Sequence, residues 1–195
     1  MRNIAIFASG TGSNARKIIE YFKTSARARV ALVVSNKKDA GVLDIAQEHG
    51  IPGRVIDRRM FYETEEVLEL LREYKIDFVV LAGFLWLIPP YLVKSYHRRM
   101  VNIHPALLPK HGGKGMYGMR VHEAVKSAGD TETGITIHFV NEHYDEGDFV
   151  FQERCRVDPA DSPAGIARKV QQLEHRHFPE VIEQLISSLP PHDAA

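Results

Sequence analysis

The chain has little of what would tie it to a membrane, a nucleic acid or an oxidising compartment. Cys155 is its only cysteine, so no internal disulfide can form and a reducing compartment is expected. Nothing around Cys155 implies a paired histidine, and it reads as a strand thiol, not a nucleophile. Lysine and arginine number 25, as do aspartate and glutamate. That balance leaves no basic footprint for nucleic acid or an anionic membrane. No apolar run reaches membrane-spanning length. The opening "NIAIFAS" is too short for a signal peptide and runs straight into a glycine loop, which makes a cytoplasmic location the expectation. Repeats, linkers and low-complexity stretches are missing too. So are the Gly-x-Ser-x-Gly elbow and an evident Cys–His couple, which agrees with a reaction in which the substrate's own amine attacks. Ten histidines are present, but none falls into His-Glu-x-x-His, and His175 and His177 lack companion ligands. No catalytic metal is expected.

What is present is ordinary in amount and informative in order. Apolar residues make up 44% and charged residues 26% of 195 residues, enough for one soluble domain with a real core. Ile4 to Ala8, Val30 to Val34 and Phe78 to Ala82 are continuous apolar runs, as expected for strands covered on both faces. Between them lie the helical patterns "SNARKIIEYFKT", "DAGVLDIAQEHG" and "ETEEVLELLREYK", the second stopped by Gly50 and the third carrying Val67, Leu70 and Leu71. This rhythm predicts βαβ crossovers and a parallel sheet. A short helix after Pro89 and Pro90 leads into the strand "RRMVNIHP". Then the rhythm changes: a long glycine-bearing loop, a helix "RVHEAVKSAG", and the strands "GITIHFV" and "DFVFQERCRV". The later sheet should therefore be mixed. A last helix opens with Ser162 as N-cap and Pro163 at its first position. Ile166, Val170 and Leu173 should face the core, and Pro179 should kink or restart the helix. The expected fold is α/β, a Rossmann-like open twisted sheet with helices on both faces. It is expected as one domain over 1–189, with halves at 1–100 and 101–189 and a frayed tail at 190–195.

Gly10-Thr11-Gly12-Ser13-Asn14 joins the first strand to the first helix. Glycine lets the backbone turn tightly, and a helix N-terminus offers unpaired N–H groups with partial positive charge. That is a phosphate site on physical grounds. Gly10, Gly12 and Ala15 also satisfy the dinucleotide fingerprint, so a nucleotide-dependent oxidoreductase is the rival. The second strand ends "VVSNKK" without the acid such enzymes use for a ribose. Lys37 and Lys38 leave an NADP-type cofactor open.

Asn102 and His104 project to one face of an extended strand, because side chains alternate with period two. Pro105 ends the ladder beyond them. An amide donor and an imidazole at a strand's carboxyl end suit acyl transfer, since both can hold a carbonyl oxygen that gains negative charge. A protonated ring at neutral pH needs a nearby carboxylate. Asp145, in "HYDEGD", is the candidate; Glu146 and Asp148 remain alternatives on spacing. Taken singly, Asn-x-His also serves as a strand-end cap and Asp145 as a turn residue. His138, between Ile137 and Phe139, reads as a packed histidine.

With "FASGTGSN", "VVSNKKDAG", "VVLAGFLWLIP", "NIHPALLPK", "GITIHFV", "YDEGDFVFQ" and "QQLEH" in this order over nearly its whole length, the chain resembles the phosphoribosylglycinamide formyltransferases, folate-dependent transformylases of purine synthesis. The resemblance implies the formyltransferase fold and transfer of a formyl group from 10-formyltetrahydrofolate to the amine of glycinamide ribonucleotide. It implies Asn102, His104 and Asp145 as catalytic residues, with Asp145 raising the pKa of His104. It implies Gly12, Ser13 and Asn14 at the substrate phosphate, and Gln171, Gln172, Leu173 and Glu174 as a second substrate segment. Leu85, Trp86, Leu87 and Ile88, with Asn102 and with Asn141, Glu142, His143, Tyr144 and Asp145, match the segments that wrap the pterin. Small-molecule partners and a monomer or weak homodimer follow from the same likeness. Trp86 stands where some relatives carry a basic residue, and an arginine that meets folate in relatives falls near Arg58 and Arg59 without being separable between them. The loop "HGGKGMYG" is longer than in several relatives. Folate deformylases and methionyl-tRNA formyltransferases share the Asn-x-His and Asp elements but carry an extra domain, N-terminal in the former and tRNA-binding in the latter. The chain is expected to have neither. Hydrolysis of formyltetrahydrofolate stays the alternative within the superfamily.

Overall fold

The computed structural model describes residues 1–190, so most of the tail read at 190–195 lies outside the described residues. Seven strands form one sheet: β1 (Arg2–Phe7), β2 (Ala28–Ser35), β3 (Gly53–Val55), β4 (Phe78–Leu81), β5 (Met100–His104), β6 (Glu132–Phe139) and β7 (Phe149–Arg156). Their spatial order is β3-β2-β1-β4-β5-β6-β7. Strands β1 to β5 pair in parallel, whereas β6 and β7 join antiparallel. The chain leaves β1 toward one edge of the sheet and later resumes at β4 on its other side. This reversal opens a crevice at the strands' carboxyl ends.

Helices cover both faces. On one lie α1 (Ser13–Phe22), α2 (Gly41–Glu48), α6 (Met119–Ser127) and α7 (Pro163–Ser187); on the other, α3 (Arg58–Tyr62), α4 (Glu66–Glu73) and α5 (Pro90–Ser95). In β1, Ile4 and Ile6 pack into the first core while Ala5 and Phe7 pack into the second. A strand buried on both sides has no polar alternation, which is why it reads as a continuous apolar run. Helix α1 buries Ala15, Ile18, Ile19 and Phe22, a stripe at helical spacing. Each large side chain so buried contributes roughly 1.5–3 kcal/mol before chain entropy is counted.

Two elements go unannounced by the sequence pattern, and one expectation changes. Strand β3 and helix α3 carry no long pattern; β3 has only three residues, and α3 is capped by Asp57, whose side chain accepts from the N–H of Met60. Pro179 does not restart α7, which runs from Pro163 to Ser187 with Phe178 and Pro179 both buried. Proline lacks only one intrahelical donor, and packing of its ring into the core offsets that loss. Ser162 caps α7 as expected, accepting from the N–H of Gly165. Among the described residues no helix is long and apolar enough to cross a membrane.

Candidate active site

A cavity of about 1040 Å³ opens at the carboxyl ends of β1, β4 and β5. Its lining gathers the first loop, the segment after β4, the end of β5, the loops after β5 and β6, and one face of α7.

At one end is the first loop. Gly12 is the N-cap of α1, with φ 81°. A side chain there would be strained, and its Cβ would lie 2.9 Å from atoms of Val42. No side chain caps α1 among the described residues, which leaves the first turn's N–H groups without a side-chain acceptor. Two α7 side chains face it: Asn14 donates to Glu174 across 3.0 Å, and Gln171 Nε2 lies 3.3 Å from Ser13 Oγ. Burial raises the Glu174 carboxyl above its ordinary value, against the hydrogen bond from Asn14. Asn14 Oδ1 is buried without a hydrogen-bond partner. Of the α7 segment named from sequence, Gln171 and Glu174 line the cavity while Gln172 and Leu173 do not. Leu173 packs on the core and Gln172 faces solvent, because neighbouring helical residues lie about 100° apart.

In the same cavity are the residues named for chemistry. Asn102 and His104 both line it from β5. Asp145 reaches them from the loop between β6 and β7, with its backbone at φ 59°. Gly147 makes that loop possible, since a Cβ there would fall 1.7 Å from the carbonyl of Phe139. Asp145 Oδ1 accepts from Asn102 Nδ2 at 3.4 Å; Oδ2 lies 3.4 Å from His104 Nδ1 and accepts the N–H of Gly113 at 2.9 Å. Of the alternative acids, Asp148 pairs with Arg98 at an exposed site and Glu146 faces solvent.

Two corrections follow. His138 is buried, yet it belongs to the cluster. The antiparallel register sets His138 directly opposite Asn102, and His138 Nε2 lies 3.1 Å from Asn102 Nδ2 and 3.6 Å from Asp145 Oδ1. His138 Nδ1 lies 2.9 Å from the carbonyl of Phe139. Cross-strand pairing was the missing signal, and it needs the fold. Second, Asp145 raises His104 as expected, yet the ring still sits below the ordinary histidine value. Burial is the larger influence; Asp145 and the carbonyl of His111 pull the other way. Asp145 stays below the usual carboxylate range: burial alone would raise it, but His138, His104 and the N–H of Gly113 together outweigh that.

At the other end Leu85, Trp86, Leu87 and Ile88 line the cavity with Asn141, His143 and Tyr144, whereas Glu142 faces solvent away from it. Trp86 leans on Phe61 and Tyr62, with ring centres 5.5 and 5.8 Å apart. The Arg58 guanidinium lies 5.2 Å from the Trp86 ring, while Arg59 pairs with Glu66. Ser9 ties this wall to the first loop by accepting the N–H of Leu85 at 3.0 Å. Loop residues 113–118 and the first two residues of α6, Met119 and Arg120, complete the lining, together with Lys37 and His122. Among the described residues no group of three or more His, Cys, Asp or Glu side chains could hold a metal ion.

Residues 2–182 match the model of the formyl transferase family. Phosphoribosylglycinamide formyltransferase, chloroplastic, of Arabidopsis thaliana is 44% identical over 187 residues, covering 93% of this chain and 64% of that protein. The chain thus spans somewhat less than two thirds of that curated relative. The crystal structure of phosphoribosylglycinamide formyltransferase from Bacillus halodurans is 36% identical, covers 96% of both chains and superposes with a TM-score of 0.85. That from Anaplasma phagocytophilum is 30% identical, covers 96% of this chain and 87% of its own, with a TM-score of 0.87. With the strand order, the helices on both faces and a match over nearly all its length, the chain belongs to the formyl transferase family.

Proposed function

We propose that this chain transfers a formyl group from 10-formyltetrahydrofolate to the amine of glycinamide ribonucleotide, within a single domain over residues 1–189. One observation carries the reading. The glycine turn and helix start at Gly12–Asn14, the buried imidazole of His104 and the half-buried amide and carboxylate of Asn102 and Asp145 line one cavity. The donor set fits both substrates. Gly12, Ser13 and Asn14 would hold the ribonucleotide phosphate, with Gln171 and Glu174 toward its ribose hydroxyls. The apolar slot of Leu85 to Ile88, closed by Asn141, His143 and Tyr144, suits a flat heterocycle.

Bound formyl folate supplies the electrophilic carbonyl carbon and its leaving nitrogen. The Asn102 Nδ2 hydrogen that makes the long 3.4 Å contact with Asp145, and the Nδ1–H of a protonated His104 whose Nε2–H stays on the His111 carbonyl, would turn to the carbonyl oxygen as negative charge gathers there. Asp145 lies behind both, holding the amide and favouring the protonated ring against burial. As the new C–N bond forms and the folate C–N bond breaks, a water in the cavity, with Asp145 as relay, would carry the proton lost by the attacking amine to the departing folate nitrogen. His138 steadies the Asn102 amide. No protein nucleophile is required, because the attacking group is the substrate's own amine. The same reading takes small molecules as the only ligands, the chain as a monomer or weak homodimer, and a reducing compartment such as the cytoplasm as its setting; the Arabidopsis relative is named as chloroplastic.

A steady-state assay with both substrates is the test. Formyl transfer to the ribonucleotide is expected. Release of formate without transfer would assign hydrolysis instead, and thermal protection by NADPH but not by a folate analogue would assign the oxidoreductase.

A further inference from the structure

The loop after β5 does more than border the cavity. His104 is clamped at both ring nitrogens: Nδ1 faces Asp145, and Nε2 donates to the backbone carbonyl of His111 at 2.8 Å. That carbonyl is delivered by a residue in the left-handed region, His111 at φ 54°. A non-glycine residue keeps such a conformation only where its surroundings over-determine it. Here the anchor is the His111 ring itself, whose Nε2 lies 2.7 Å from Asp130 Oδ2. Asp130 follows α6, outside the cavity lining, and its other oxygen takes the Lys110 ammonium at 3.1 Å. Both partners are mostly buried, each 17% exposed at the side chain. Two residues on, the N–H of Gly113 bonds Asp145. One short segment, 111–113, therefore touches both His104 and Asp145, and Asp130 pins its first residue.

The geometry points to Asp130 and His111 as positioning residues: their pair fixes the carbonyl that orients the His104 ring and keeps a proton on its Nε2. Without Asp130 the His111 backbone is free to relax, and the carbonyl swings away from His104. Small displacements of this kind cost turnover without weakening substrate binding in proportion.

This inference rests on the proposed formyl transfer, and the unaltered protein run in the same assay separates the two: no transfer there refutes the reading itself. Given transfer, Asp130→Ala should lower kcat about 10-fold while KM for either substrate moves less than about 2-fold. Asp130→Asn, which keeps an acceptor oxygen for the His111 ring, should restore kcat to within about 3-fold of the parent. His111→Phe, which keeps the ring but not the bond, should match Asp130→Ala, and the double variant should be no slower than either single one. Wild-type kcat in Asp130→Ala, a rise in kcat, or losses that multiply in the double variant would each overturn the proposal. If Asp130→Ala melts below the assay temperature, His111→Phe alone decides, and full activity there counts against the pair.

Discussion

The two ends of the reaction cavity that matter most are built from opposite materials. At Gly12–Asn14 the groups presented are largely backbone N–H donors, supplied by a helix terminus and permitted by a left-handed glycine. At Asn102, His104, His138 and Asp145 they are buried and half-buried side chains, held by one another. A backbone site is indifferent to most side-chain chemistry and fails through sterics. A side-chain site keeps its fold when one member is removed and fails through chemistry. The contrast teaches which kind of substitution interrogates which end.

The largest effect is expected at the chemical end. Asn102→Ala and His104→Ala should each lower kcat about 10²–10³-fold, the usual loss for one oxyanion donor. Thermal unfolding should stay cooperative in both; near-parental turnover in either would dissolve the distinction between the two ends. Asp145→Asn should follow at about 10²-fold, because it retains an oxygen for the N–H of Gly113 but no longer offers His104 a charge.

At the backbone end the expected loss is smaller and of another kind. Gly12→Val combines an unfavourable φ with a contact on Val42, so KM for the ribonucleotide should rise about 10-fold while KM for the folate barely changes. Equal weakening of both substrates, measured by varying each at saturation of the other, would remove the phosphate from this loop.

The smallest effect concerns acid. Burial holds His104, His122 and His175 below the ordinary histidine value near 6.5, with Asp145 partly opposing this at His104. Once the pH falls toward that value, the unfolded chain binds more protons than the folded one. The stability these residues give is thus present above about 6.5 and lost as the pH drops through their folded values. Asp145, also lowered from its ordinary value near 3.8, adds a second loss further down. The melting temperature should fall by a few degrees between about pH 7.5 and 5.5. The slope should flatten in His122→Leu, since His122 Nδ1 is buried without a partner. An unchanged slope would take the burial of that ring out of the account.

How much of this was legible in the residue order differs along the chain. The parallel half was open to reading because strands buried on both faces must be apolar throughout, and because α1 and α2 show their buried stripes at helical spacing. The same logic located the glycine turn, where strand, glycine and helix start are contiguous, and the shared face of Asn102 and His104. Strand β3 and helix α3 escaped, being too short to show a period.

The amino-acid order by itself thus determined the α/β class, the place of the glycine turn, and the residue types at 102, 104 and 145, all of which depend on neighbours within a few positions. Only the tertiary structure decided which of these meet. The antiparallel register set His138 against Asn102, the hairpin loop turned Asp145 and not Asp148 inward, and α7 offered Gln171 and Glu174 while turning Gln172 away. It also decided the sign at His104, where loss of water outweighs the nearby carboxylate. Burial and contact are sums over residues distant in the chain, and periodicity cannot report them.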